Sequence, residues 1–454
     1  MREFYYSEGQ RSQESRAFSL RTQEMLGKIV GDFRKQILPG EVAMLNCRVV
    51  PILALIMLSS PALAGTWYVN GVNGDDGNTC KTKAVACATI GHAISLAASG
   101  DTIQIAAATY QENLSIPFNL TLNGAKAATT IIDGTNSLNV VTVGAGISLT
   151  LSNLTIKNGV GYSGGGGVDN AGTLTVSKSN FYTNTALSGG AILNTGTATI
   201  SNSNLSGNSP YFFGHSASCG AIDNRSTMTI TNSTFYSNYA NNNFTSGGAI
   251  CNGGTMTITG TTFNTNSSQG NNGGYGGAIY NYAGTLSVTN STFSLNSATT
   301  SGGAIYSGGG TVQISNSTFG INPATSGGGG GTLSNAGGSV LVQNSIVANS
   351  GYGGNCAGTI TSDGYNLSSD STCNFSGSGD LNGQSPKLGG LHSNGGPTQT
   401  MALGKGSPAL DAGSPGGCRD FAGNLLTTDQ RGKPRPAGGE TTGCDMGAYE
   451  SQTY

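Results

Sequence analysis

Between Val140 and Ser350 the chain carries two acids, Asp169 and Asp223, and three bases, Lys157, Lys178 and Arg225. Two carboxylates flanking a glycosidic bond can act as general acid and general base, and carboxylates joined by calcium and a basic residue can cleave an acidic sugar chain. Asp169, Asp223 and Arg225 are therefore the catalytic candidates. Tyr280, Tyr282 and Tyr306 offer different chemistry, since a phenol ring can stack on a sugar face or pack against a partner protein. They are the binding candidates. His92, His215 and His392 share no metal-ligand spacing. Asp75 and Asp76 lie in a Gly/Asn turn without the regular ligand series of a calcium loop, so they read as a solvated turn. No metal or other cofactor is expected, and calcium is the one ion such carboxylates could take. In the tail, Asp411, Asp420, Asp429, Arg431, Lys433, Arg435, Asp445 and Glu450 read as internal pairs that fix an irregular cap.

A repeat must position these side chains. Gly-Gly-Ala-Ile or a close variant recurs with its isoleucine at Ile192, Ile222, Ile250, Ile279 and Ile305. Successive isoleucines are 30, 28, 29 and 26 residues apart, a period that marks a solenoid. Between these units runs a second motif of the form Thr-Met-Thr-Ile-Thr-Asn-Ser-Thr-Phe-x-x-Asn, at Thr227 to Asn238 and, in variant form, at Thr285 to Asn296 and Thr311 to Asn322. Its apolar residues alternate with polar ones, as in a strand with one buried face. The fold expected is all-β: a parallel β-helix of short strands and Gly/Asn/Ser turns, each coil paired with the next.

Aligned coils place Phe181, Phe235, Phe263, Phe293 and Phe319 in one column, with Leu154, Leu205 and Ile346 taking that place in other coils. Three residues on, Asn184, Asn208, Asn238, Asn266, Asn296, Asn322 and Asn349 form an asparagine ladder, and Asn170, Asn194, Asn224, Asn252, Asn281 and Asn335 form a second. The amide suits a ladder because it both donates and accepts. Asn232, Asn290 and Asn316 match the glycosylation pattern but recur at one register, which favours turn chemistry. Asp169 and Asp223 each follow a column aliphatic by one residue and so point outward together. They are two coils apart, ~9.6 Å at ~4.8 Å per paired strand. That is close to an inverting acid/base pair, but Leu193 intervenes and the charge is sparse, so a surface role is favoured over catalysis. Cys251, Tyr280 and Tyr306 continue the same column.

With 9% charged residues and a net charge of −2, the chain lacks the basic footprint that binds nucleic acid. Arg48, the apolar run Val49 to Leu58 and Ala62-Leu63-Ala64 before Gly65 read as a signal peptide over 44–64, with a core too short to span a bilayer. The protein is thus expected to be exported, without a transmembrane segment in the mature chain, and monomeric. Residues 1–43, thirteen of them charged, read as an upstream extension ahead of a true start at Met44. A helix over about Thr89 to Ala98 would plug the first coil within an N-terminal cap at 65–101. Coils should fill 102–355, and final coils with a disulfide-rich cap should fill 356–454 and close the far end.

Eight cysteines follow the signal segment, which suits disulfides in an exported chain. Sequence neighbourhood pairs Cys80 with Cys87, Cys356 with Cys373 and Cys418 with Cys444. Cys219 lies three residues before its column isoleucine and Cys251 one after, an offset too wide for a bridge along straight strands, so both are expected as free thiols.

The two alternating motifs over Ser152 to Asn349 resemble polymorphic outer-membrane protein repeats. The ends, with WYVNGVNGDDGNTC from Trp67, GSPALDAGSPGGC from Gly406 and CDMGAYE from Cys444, are similar to choice-of-anchor Q domain proteins. The resemblance implies a right-handed parallel β-helix of the pectin-lyase type, displayed at the cell surface in association with an outer membrane or released as an extracellular protein. The function expected is a non-catalytic, adhesin-like or structural module that binds an extracellular glycan or a surface protein. The alternative is a polysaccharide lyase or glycoside hydrolase.

Overall fold

The computed structural model describes residues 64–210, 219–241, 245–270, 272–325, 330–437 and 443–452. The upstream extension, the signal segment up to Leu63 and His215 lie outside them. The described chain is a right-handed parallel β-helix with three long sheets of twelve, ten and twelve strands. One coil shows how the sequence makes it. Ile222–Asn224 lies in the first sheet, Thr227–Thr231 in the second and Thr234–Tyr236 in the third. Here they are called the Ile, Thr and Phe sheets. Asn232 turns the chain between the Thr and Phe sheets with φ 48°, and Asn202, Asn290, Asn316 and Asn344 do the same in their coils. Asparagine tolerates this left-handed backbone.

The apolar alternation faces inward and forms one continuous core from Trp67 to Phe375. Phe235, Phe263, Phe293 and Phe319 are fully buried and stack with ring centroids 4.8, 4.6 and 4.6 Å apart. Two members of the expected column are corrected. Phe181 pairs with Ile156, not Leu154, and Phe319 pairs with Val347, not Ile346. In the coil that holds Val347 the expected register is therefore off by one. Asn349 then falls two residues after the column position, where the chain turns with φ 56°, so it lies outside the ladder. The ladder itself runs from Asn184 through Asn208, Asn238, Asn266 and Asn296 to Asn322, each Nδ2 donating to the next Oδ1 at 2.9 to 3.1 Å. The second ladder links Asn170, Asn194, Asn224, Asn252 and Asn281, and Ser307 separates Asn281 from Asn335.

At the N-terminal end, Ile90–Leu96 forms a helix whose Ile90, Ala93 and Ile94 are buried against the first coil. Asp76 belongs to this plug instead of lying in a merely solvated turn: its carboxylate accepts from the backbone N–H of Ala88 and Thr89 and from the Thr89 hydroxyl. Cys80–Cys87 closes the same cap.

The tail departs from expectation. Phe375 and Cys356–Cys373 finish the core, so the far end is closed by about 382. The remainder runs back along the outside of the Phe sheet as a strap. It meets four consecutive coils: Thr398 at Gly260, Gln430 at Thr292, Ala448 at Thr318 and Cys418 at Asn344. Threonine hydroxyls give it a polar seat, and Thr262, Thr292 and Thr318 are buried beneath it while Thr234 is not. Inside the strap, Arg431 pairs with Asp429 at 2.7 Å and Arg435 with Glu450 at 2.9 Å, both buried, and Cys418–Cys444 ties its ends. No helix among the described residues is long and apolar enough to cross a membrane.

Candidate functional site

Each strand of the Ile sheet sends two side chains inward and one outward. Register therefore builds a column of outward residues, Asp169, Leu193, Asp223, Cys251, Tyr280, Tyr306 and Ser334, one per coil. Arg225 stands at the corner just after the Asp223 strand. Its Nε and Nη2 donate to Asp223 Oδ2 at 2.9 and 2.7 Å, and Nη2 also donates to Ser188 Oγ at 3.1 Å. Asp223 is almost wholly buried, while about half of the Arg225 side chain is exposed. Burial pushes the Asp223 carboxyl up, and Arg225 opposes the shift. The half-buried Asp169 carboxyl is likewise raised by burial, with Arg225 acting in the other direction.

Beside this pair the tyrosines gather. Tyr280 lies 5.9 Å from Tyr282 and 5.4 Å from Tyr306, and Tyr275 lies 4.7 Å from Tyr306, all tilted near 45°. Glycines let the rings lie against the backbone: a β-carbon at Gly253 would come within 2.2 Å of the Tyr282 ring, and one at Gly308 within 2.8 Å of the Tyr280 ring. Burial raises the phenols of Tyr280, Tyr282 and Tyr306, so all three are neutral donors at ordinary pH. Tyr280, Tyr282, Asp223, Arg225, Ser188, Ser246 and the Cys219–Cys251 pair line a hollow of about 520 Å³.

Cys219 and Cys251 are joined across adjacent coils, with Cα atoms 5.6 Å apart, which corrects the expectation of two free thiols. The reason is the corner. The first glycine of each Gly-Gly-Ala-Ile unit folds back over the strand it precedes, so that a β-carbon at Gly189 would sit 2.7 Å from the backbone N of Asp223 in the next coil. Cys219 takes the place of Gly189 one coil later, and Cys251 takes that of Asp223. The four-residue offset is folded back on itself, not laid out along a line. The structure also joins Cys80–Cys87, Cys356–Cys373 and Cys418–Cys444.

The candidates therefore divide. Asp223, Arg225, Tyr280 and Tyr282 meet at one hollow, Tyr306 extends it, and Asp169 stands two strands away with Leu193 between. Sequence reasoning missed Ser188, Ser246 and Tyr275. All three immediately precede the first glycine of a repeat unit, at Gly189, Gly247 and Gly276, and the fold-back carries them to the outward column. A metal has little to hold among the described residues. The sulfurs nearest His92 are in the Cys80–Cys87 bond, and Asp76 is committed to the capping helix.

No family model matches the chain, and no curated protein does. Among solved structures it is similar to pectate lyase Pel9A (TM-score 0.48, 14% identity, covering 87% of this chain and 98% of that one). It is also similar to a rhamnogalacturonan lyase (0.39, 13%, 76% and 96%) and to a GH136 lacto-N-biosidase from Eubacterium ramulus (0.36, 11%, 77% and 70%).

Proposed function

We propose that this protein is an exported, non-catalytic surface module that binds a glycan in the tyrosine-lined hollow of the Ile sheet. One observation carries the reading: neutral phenols adjoin an Asp223–Arg225 pair, joined through Asp223 Oδ2, over a disulfide-tied floor. Rings supply the apolar stacking face, and the pair supplies acceptor and donor side by side for vicinal hydroxyls. Export and display, in the manner of adhesins associated with an outer membrane, draw support from the signal-like segment at 44–64 and from the repeat and end motifs shared with surface-displayed proteins. A binding screen of the secreted protein tests the reading. Tyr282→Ala should weaken the best glycan about tenfold, as loss of a stacked ring does. Unchanged binding would sink it.

A polysaccharide lyase or hydrolase is the second reading, favoured by two carboxyls that burial raises toward general-acid use. Against it, Asp223 Oδ2 is occupied by two guanidinium N–H groups, and Leu193 parts the carboxylates. Incubation with acidic and neutral polysaccharides, with and without calcium, separates the two. Sustained release of unsaturated or reducing ends, abolished by Asp223→Asn, would establish the enzyme.

A further inference from the structure

We infer that the hollow takes an uncharged glycan and discriminates against uronate polymers. This rests on the glycan-binding reading and adds the chemical class of the ligand.

Among the described residues the charges on this face are few, and their partners are known. Along the outward column and the corner beside it stand Asp169, Asp223 and Arg225. The other two bases of the coil region are elsewhere: Lys157 is paired with Asp133 at 3.2 Å on the Phe sheet, and Lys178 occupies a left-handed turn with φ 49° between the Thr and Phe sheets. The strap, which holds the charge of the tail, lies along the Phe sheet. The positive charge of Arg225 is already engaged by Asp223. Asp169 has no hydrogen-bond partner among the described residues, and its charge is left over. The described residues of this face thus carry one net negative charge.

A polyuronate brings one carboxylate per sugar. To seat it, the hollow would have to desolvate that anion against two carboxylates, with a single guanidinium that is already shared. An uncharged sugar meets no such cost. It finds the hydroxyls of Ser188 and Ser246, neutral phenols, and Arg225 Nη1, which has no partner among the described residues. Charge complementarity separates the two ligand classes at a site whose rings would accept either.

Matched polymers test this with the full-length secreted protein by titration calorimetry at about pH 8, where carboxylates are ionised. The pairs are polygalacturonate with its fully methyl-esterified form, and carboxymethyl cellulose with hydroxyethyl cellulose. The neutral member of a pair that binds should do so at least tenfold more tightly. Asp169→Asn, which removes the leftover charge and leaves the ion pair intact, should raise the acid-to-neutral affinity ratio about threefold at low salt, an effect that added salt erases. Acidic polymers binding as tightly as their neutral partners, with both weakened by Tyr282→Ala, would overturn the charge inference and leave the glycan reading standing. Failure of every polymer in the wider screen as well would overturn both.

Discussion

Ile321 shows what single residues cost in this fold. It follows Phe319 by two and turns the chain with φ 57°, a region that disfavours β-branched side chains, and it is exposed. Thr183, Gly207, Ser237, Thr265 and Leu295 make the same turn in earlier coils. Ile321→Asn should therefore stabilise the protein by about 1 kcal/mol in denaturant melts. Glu450 makes a second case. Burial, reinforced by the Asp445 carboxylate and opposed by Arg435, pushes its carboxyl from 4.5 up to about 7. The folded chain then holds this proton more tightly than the unfolded one, so the stabilisation is complete below pH 4.5 and is lost as pH rises to about 7. Asp169, Asp223 and Asp445 shift in the same direction. Stability should fall by on the order of 3 kcal/mol across that window, and Glu450→Gln should flatten much of the decline. The internal pairing of the tail's acids and bases was legible, and Arg431–Asp429 and Arg435–Glu450 form, but their burial was not. The tail's charges could be counted in the sequence, but which of them are buried depends on the strap's seat.

Columns are where the elements gain their stability. Phe263 is sandwiched between Phe235 and Phe293 without exposed surface, so Phe263→Ala should cost about 3 to 5 kcal/mol. Phe263→Leu should cost clearly less, because Leu205 already fills this column one coil before Phe235. Asn266 accepts from the backbone N–H and the amide of Asn238 and donates to Asn296 Oδ1 and the Phe235 carbonyl. Asn266→Ala would take the partner from the buried Asn238 N–H and from the Phe235 carbonyl, while Asn296 Oδ1 keeps the Asn266 backbone N–H, at about 1 to 3 kcal/mol for each group left without water. Urea melts of the three variants rank these effects. The repeat period, the inward alternation and both ladders were readable because each coil restates them. Register slipped only in the coil that holds Val347 and in the one that holds Ile156, where the aromatic ring that marks the column is missing. The Cys219–Cys251 bridge was missed for a different reason: residue counting along straight strands ignores a glycine corner that doubles back. The same blind spot hid Ser188, Ser246 and Tyr275 from the candidate site, although their place before each Gly-Gly pair was in plain view.

The described chain is a stack in which each coil meets its neighbours, and one element crosses several of them. The strap bridges four coils, from Gly260 to Asn344, through Thr398, Gln430, Ala448 and Cys418. Opening Cys418–Cys444 by a double serine substitution should cost about 3 kcal/mol, the loop-closure value for a 26-residue separation, and should expose the strap to limited proteolysis before the coils. Sequence reading placed a cap here because a disulfide-rich tail after a repeat ordinarily closes an end. The threonines that seat the strap differ in no way in sequence from Thr234, which the strap leaves only partly covered. The bridge also bears on how such a chain can change in length. A tandem duplication of one coil between Val168 and Leu193, ahead of the Cys219–Cys251 bridge, would slide in without disturbing anything downstream. The same insertion between Gly260 and Asn344 would outgrow the belt fastened across it, so that stretch should hold its coil number during divergence while the earlier stretch is free to grow or shrink.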